Sequence, residues 1–267
     1  MSISTILGVI FGFGLFIVAV AFSTDNYLVF LDAPAFVMVI GGTLAATFIS
    51  YEPRYVLEAL RLMYSIILSH KVGRGILTNE VGRIIRWGYV VQKNGLPGLE
   101  ADAGKVRQHD RLLGFGVDLV ISGYTGQEVR EILANTVETT YQRAAMPADI
   151  LRAMGGNAPA FGLLGTLVGL IIMLDQMGAD ASKLGTGMAV AMNTTMYGVL
   201  FSRLVFLPSA AKIQHREELV RFRNFLMAEG LALLAERKSP RYIQDRMNSY
   251  LDPSEHFSID RHLKARP

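Results

Sequence analysis

Four long stretches of this chain are almost free of charge, and that limits what it can become. Ile3 to Phe22, Ala33 to Ser50 and Met154 to Leu174 carry no charged side chain, and Leu184 to Leu207 carries one, Arg203, near its end. A helix needs about 20 apolar residues to cross a bilayer core, so each stretch is predicted to span a membrane. Composition agrees: 51% of the residues are hydrophobic, 18% are charged and the mean hydropathy is +0.33, too apolar for an ordinary soluble surface. The first stretch follows no charged segment and precedes no convincing small-residue cleavage site, so it is read as a retained helix rather than a signal peptide.

The basic residues set the orientation. Tyr51 to Arg152 holds 13 of the 26 Lys and Arg, Ser209 to Pro267 holds 11, and the other two are Lys183 and Arg203. The short connections Ser23 to Asp32 and Asp175 to Lys183 hold two aspartates each and a single lysine between them. The short loops are therefore expected outside, and both charged segments and both termini inside. Tyr27 and Tyr51 then sit at opposite interfaces, and Arg203 can snorkel to the inner one. The expected fold is all-α and polytopic. Spans one and two occupy 1–52, a helical cytoplasmic domain 53–152, spans three and four 153–208, and a cytoplasmic helix with its tail 209–267.

Within the charged segments, Thr125 and Glu128 in "TGQE" have the spacing of a capping box, and Val129, Ile132, Leu133 and Val137 follow at helical period. Asn94-Gly95-Leu96-Pro97 marks a turn between two helices. Leu219, Phe222, Leu226 and Leu233 continue an apolar stripe past Pro208. Span four is therefore predicted to run on as one long helix to about Arg237, with Pro208 at most kinking it. The tail after Pro253 reads as weakly ordered.

Several classes of function drop out. The chain has no cysteine, hence no disulfide and no thiolate site. Its five histidines are scattered, with no i,i+4 pair for a metal. The net charge of +3 is spread among acids rather than gathered into a stripe, which argues against nucleic acid. No activated nucleophile, paired acid or phosphate loop points to an enzyme, and no cofactor is expected.

The polar residues inside the spans say more. Asn193-Thr194-Thr195 sweeps roughly 200° of a helix surface, too wide for one narrow seam. An asparagine amide is poorly satisfied by its own helix, so span four is expected to face protein or water on much of its circumference. Thr166 stands alone in "GLLGTLVGL", where its hydroxyl can bond a carbonyl one turn earlier or serve an ion. Gly165 with Gly169, Gly8 with Gly12, and more loosely Gly42 with Ala46 have the spacing of close helix packing in an oligomer, although small residues are common in any membrane helix. No span holds a carboxylate. Ion coupling normally needs an ionisable group at membrane depth, so a partner must contribute it.

"LRAMGGNAPAFGLLGTLVGLIIMLDQM" followed by "GMAVAMNTTMYGVLFSRLVFLP" resembles the third and fourth spans of flagellar motor stator A subunits. This is the MotA/PomA family of the MotA/TolQ/ExbB superfamily, and the sodium-type members are the nearer match. The four-span layout, large inner loop and C-terminal helix agree along nearly the whole chain. The resemblance implies a bacterial inner-membrane protein of motility and chemotaxis. It implies a homopentamer around two copies of a B subunit, which has one membrane helix with the ion-carrying aspartate and a peptidoglycan-binding domain. Ion flow would turn the ring against the rotor's switch-ring protein. By position, Thr166 and Thr195, with Thr194 beside them, match the ion-pathway threonines of sodium-type members, and Asp32 an aspartate at the outer start of span two. Lys93 and Glu100 match charges of rotor contact, and Pro159, Pro208 and Asn193 are expected to serve gating or packing. Gln92 stands where an arginine is common, Gly156 where some members have an acid, and Ala181 where a proline is usual. The transported ion is expected to be sodium, with the proton as the alternative. A TolQ/ExbB-like energiser of outer-membrane processes, usually with three spans, and a membrane scaffold without coupling are the other readings.

Overall fold

A computed structural model of the chain describes residues 3–65, 75–176 and 184–259. Every regular element among them is helical: α1 (Ile3–Ser23), α2 (Ala33–Phe36), α3 (Gly42–Ser50), α4 (Pro53–Ser65), α5 (Gly75–His109), α6 (Arg111–Ile121), α7 (Gly126–Gln176), α8 (Leu184–Phe201), α9 (Leu207–Ala235) and α10 (Pro240–Asn248). The π-turns Val37–Gly41 and Ser202–Phe206 join α2 to α3 and α8 to α9. Among the described residues, three stretches are long and apolar enough to cross a membrane: Tyr27–Ser50, and parts of Gly126–Asp175 and Gly187–Ala235. A shorter apolar stretch, Leu7–Ser23, belongs to α1. The outer connection after Gln176, with Ala181 and Lys183, lies outside the described residues.

The chain divides into two compact units, one of Met1–His70 with Ala145–His215, the other of Lys71–Ala144 with Arg216–Pro267. The first is centred on Val39, Ala59, Ile150, Leu151, Met154, Ala158, Phe206 and Ile213. Between α7 and α8 the packing is close, because glycines admit the partner backbone. A Cβ on Gly198 would lie 2.6 Å from the Ala158 carbonyl oxygen, one on Gly162 2.9 Å from that of Thr194, and one on Gly169 2.8 Å from the Ala191 nitrogen. Gly165 leaves room for the Thr194 side chain, whose Cγ2 would be 2.5 Å from an added Cβ. Gly165 and Gly169 therefore pack α7 on α8 of the same chain, whereas the sequence pattern suggested contact between copies. Gly8 has open space around it, and Gly42 makes room for the Phe161 ring.

Pro208 is accommodated within its own helix. It cannot donate to the Leu204 carbonyl, and its ring crowds that position. The helix widens just before it, and the Leu207 N–H bonds the Ser202 carbonyl five residues back. Span four thus continues through the π-turn into α9 as far as Ala235, as the stripe of apolar residues predicts.

The second unit is built around Trp87, Ile84, Leu99, Leu113, Leu133, Leu231, Leu234 and Ile243. Thr125 and Glu128 form the predicted capping box: the Thr125 N–H bonds Glu128 Oε2 at 2.8 Å, and the Glu128 N–H bonds Thr125 Oγ1 at 3.3 Å. Gly95, at φ 68° and ψ −166°, breaks α5 at the predicted turn in a conformation that glycine adopts readily. Two expectations need correction. Phe222, placed in the apolar stripe, is exposed, because α9 is enclosed on all sides only from Leu226 to Leu234, where every residue is buried. The segment after Pro253 is held as far as Ile259. The Asn248 amide exchanges hydrogen bonds with the Phe257 backbone, the Ile259 N–H bonds Gln244 Oε1, and the Phe257 ring lies over Gly82.

Enclosure of α9 buries Glu229, and two arginines answer it. Arg130 Nε lies 2.7 Å from one carboxylate oxygen and Arg246 Nε 3.2 Å from the other. Burial pushes the carboxyl up, but the hydrogen bonds and charges of the two guanidiniums push further down, so it titrates below its ordinary value of 4.5. Its stabilisation is complete above that value and is lost as pH falls through the lowered one. Glu229→Gln is expected to cost about 2 kcal/mol at pH 7 by weakening both pairings, and to flatten the acid limb of stability. Thermal unfolding of the purified chain between pH 3 and 7 measures both. In the first unit, Gly198→Ala is expected to destabilise by about 1–3 kcal/mol, because a backbone carbonyl blocks the new methyl. Gly156→Ala, with nothing within 4 Å of its Cβ, is expected to be tolerated. Melting of the two variants side by side tests the contrast.

Candidate functional site

The α7–α8 seam brings Thr166 and Thr195 together. These residues are 29 apart in sequence, and their hydroxyl oxygens are in hydrogen-bond contact. The Thr166 hydroxyl also lies 3.0 Å from the Ala191 carbonyl oxygen across the seam and 3.1 Å from the Gly162 carbonyl oxygen one turn earlier on its own helix. A hydroxyl has one proton and two acceptor lone pairs, so Thr166 serves one carbonyl well at a time and can accept from Thr195 as it does so. Thr195 is exposed and Thr166 half-buried. The pair is thus reachable from outside this chain, and its carbonyl partners lie behind it.

Thr194 differs from its neighbour. It is fully buried, occupies the space left by Gly165, and donates to the Ala191 carbonyl at 2.8 Å. Asn193 is also buried, and its amide donates to the Val29 carbonyl at 2.8 Å. One turn on, the Tyr197 hydroxyl donates to the Phe30 carbonyl and accepts from the Asp32 N–H at 3.1 Å. Asn193 and Tyr197 therefore hold the 3-10 turn Tyr27–Phe30 by its backbone. The Asp32 carboxylate caps α2 by accepting from the Ala35 N–H at 2.8 Å. The sequence reading missed Tyr197. Its place one helical turn after Asn193 was the available signal.

Chemically, the cluster is a set of neutral oxygens: two hydroxyls and the Ala191 and Gly162 carbonyls. Such oxygens are ligands for a hard cation, and they supply no charge of their own. No group of His, Asp or Glu able to hold a metal ion occurs among the described residues. Pro159 lies inside α7, seven residues before Thr166, and Pro208 near the start of α9.

Lys93 and Glu100 lie in the second unit, exposed on either side of the Gly95 break in α5. Gln92 lines a groove of about 310 Å³ together with Arg237 and Lys238, which follow α9. Arg237 adopts φ 52°, left-handed and unusual for a residue with a side chain. The position where an arginine is common thus has two cationic residues beside it in space.

Comparison with known proteins adds to this geometry. The chain is 28% identical over 252 residues to chemotaxis protein PomA of Vibrio alginolyticus, covering 94% of this chain and 96% of that one. It superposes on a chain of the flagellar MotAB stator complex of Bacillus subtilis with a TM-score of 0.81 at 23% identity, covering 99% and 100%. It superposes on a chain of C. jejuni MotAB with a TM-score of 0.83 at 19% identity, covering 95% and 97%. These likenesses establish a shared helical fold. Residues 105–224, which contain the hydroxyl pair and both seam helices, match the model of the MotA/TolQ/ExbB proton channel family, and the chain thereby carries a domain of that family.

Proposed function

We propose that this chain is the A subunit of a bacterial flagellar motor stator, coupling inward sodium flow to rotation. The observation that carries the reading is the Thr166–Thr195 hydroxyl pair backed by carbonyl oxygens, in helices with no acid at that depth. Such a site can strip water from a cation but cannot neutralise it. It therefore needs a carboxylate from a second protein. A B subunit with an aspartate in a single membrane helix supplies that group, and five copies of this chain form the ring around it. The MotAB stator complexes whose chains share this fold support pairing with a B subunit, and the family match supports an ion channel rather than an enzyme.

In this reading four helices cross the inner membrane: α1, the Ala33 to Ser50 stretch, the Met154 to Leu174 part of α7, and α8. The distribution of basic residues places both termini and both charged segments in the cytoplasm. Asp32, at the outer end, raises the local cation concentration. Thr166 and Thr195 serve as ligands, while Thr194, with its hydroxyl committed and its methyl filling the seam, acts in packing. Asn193, Pro159 and Pro208 set helix geometry. Lys93 and Glu100, with the basic groove beside Gln92, meet the rotor's switch ring.

Proton coupling is the second reading, favoured by the bond from Thr166 to its own Gly162 carbonyl, which needs no ion. Rotation in a host lacking its own stators, measured as external sodium is replaced by potassium at constant pH and membrane potential, separates the two. Sodium coupling requires rotation to stop, and rotation that persists leaves the proton. Thr166→Ala and Thr195→Ala are each expected to raise the sodium needed for half-maximal speed by roughly tenfold, the effect of losing one interaction of about 1.4 kcal/mol. Thr194→Ala should lower stability more than it changes ion dependence. For the rotor surface, Lys93→Glu with Glu100→Lys is expected to impair swimming at unchanged membrane level. Swimming at the original rate assigns both residues to ordinary solvated charge.

A further inference from the structure

Pro159 leaves a gap in α7 that another helix fills. Without a backbone N–H it cannot serve the Gly155 carbonyl, four residues earlier. A serine in a helix commonly bonds a carbonyl three or four residues back in its own helix. Ser202, only 1% exposed, instead reaches across and donates to the Gly155 carbonyl at 2.6 Å. The approach is close on both sides of this bond. A Cβ on Gly155 would lie 2.6 Å from the Leu207 side chain, and one on Gly198 would lie 3.1 Å from the Pro159 Cα. Ser202 is also the first residue of the π-turn, and its carbonyl takes the Leu207 N–H. The two backbone irregularities of the seam therefore meet at one residue. Thr166 lies seven residues beyond Pro159 and Thr195 seven residues before Ser202, each about 10 Å along its helix.

We infer that Ser202 is a positioning residue: its hydroxyl replaces the amide missing at Pro159 and so holds the Thr166 segment of α7 in register with the Thr195 segment of α8. The hydrogen bond stands without the proposed function, and only its consequence for ion handling rests on that reading. Nothing in the residue types marks Ser202, because the gap and its filler are 43 positions apart.

The test is a double-mutant cycle on the full chain purified in detergent. Ser202→Ala is expected to lower the melting midpoint by about 2–4 °C. In a Pro159→Ala background the restored amide serves the Gly155 carbonyl, and the same Ser202→Ala change should then shift the midpoint by less than about 1 °C, within the usual additivity error. Equal shifts in both backgrounds overturn the inference. Ser202→Cys gives an answer even if Pro159→Ala fails to fold. A thiol fills nearly the same space but is a weak donor, so it should melt like Ser202→Ala, and melting like the parent overturns the inference. Stator-driven rotation supplies the readout that packing alone would not move. Ser202→Ala should raise the half-saturating cation concentration at least about threefold at unchanged membrane level, and an unchanged value overturns the positioning role. If the unsubstituted chain drives no rotation, the proposed function fails, and the melting cycle still decides the hydrogen bond.

Discussion

The close approach of α7 and α8 is the constraint on which the rest of the first unit depends. Helices with ordinary side chains at their contact pack about 8–10 Å apart. At that separation a threonine hydroxyl reaches its own helix more easily than its neighbour. Gly162, Gly165, Gly169 and Gly198 remove the side chains that would hold the axes apart, and partner backbone atoms, or at Gly165 the Thr194 side chain, enter the space. Only then do Thr166 and the Ala191 carbonyl, or Ser202 and the Gly155 carbonyl, come within hydrogen-bond distance. The glycines supply no chemistry. They decide which chemistry the hydroxyls beside them can perform.

This separates two kinds of threonine that look alike in sequence. Thr43 and Thr47 are fully buried, and each donates to the carbonyl four residues back, Thr43 at 2.6 Å and Thr47 at 2.7 Å. Each is satisfied by its own helix and has no proton left to donate. Thr166 has that same option in Gly162, and also a carbonyl and a hydroxyl on another helix. A hydroxyl with alternatives can change partners at little cost. One with a single carbonyl in an apolar place cannot. The difference is one of surroundings.

What the sequence made legible follows from the range of each signal. The capping box at Thr125 and Glu128, the break at Gly95 and the run of span four through Pro208 into α9 depend on residues within a few positions of one another. The pairing of Thr166 with Thr195 came from resemblance, since no periodicity links residues 29 apart. Tyr197 was passed over, yet its hydroxyl joins the Phe30 and Asp32 backbones. Asp32 was read for its charge and also caps a helix. Phe222 was assigned to the apolar stripe by period alone, but α9 is enclosed on all sides only from Leu226 to Leu234. Local chemistry shows what a residue can do, and packing selects among those options.

The prolines show why packing has this authority. An interior proline costs a helix roughly 3 kcal/mol, and in an apolar setting a carbonyl left without a donor adds to that cost. Two solutions appear within one seam. At Pro208 the helix changes its own bonding, widening so that Leu207 reaches Ser202. At Pro159 the backbone stays helical and the missing donor comes from the neighbouring helix. The first is local and would survive separation of the helices. The second exists only while α7 and α8 remain in register, so at that level the seam sets the shape of α7. Any motion that slid one helix along the other would expose the Gly155 carbonyl before it disturbed a single bond within α8. The Thr166–Thr195 contact crosses the same seam and is subject to the same register, which places the hydroxyl pair and the proline gap under one constraint.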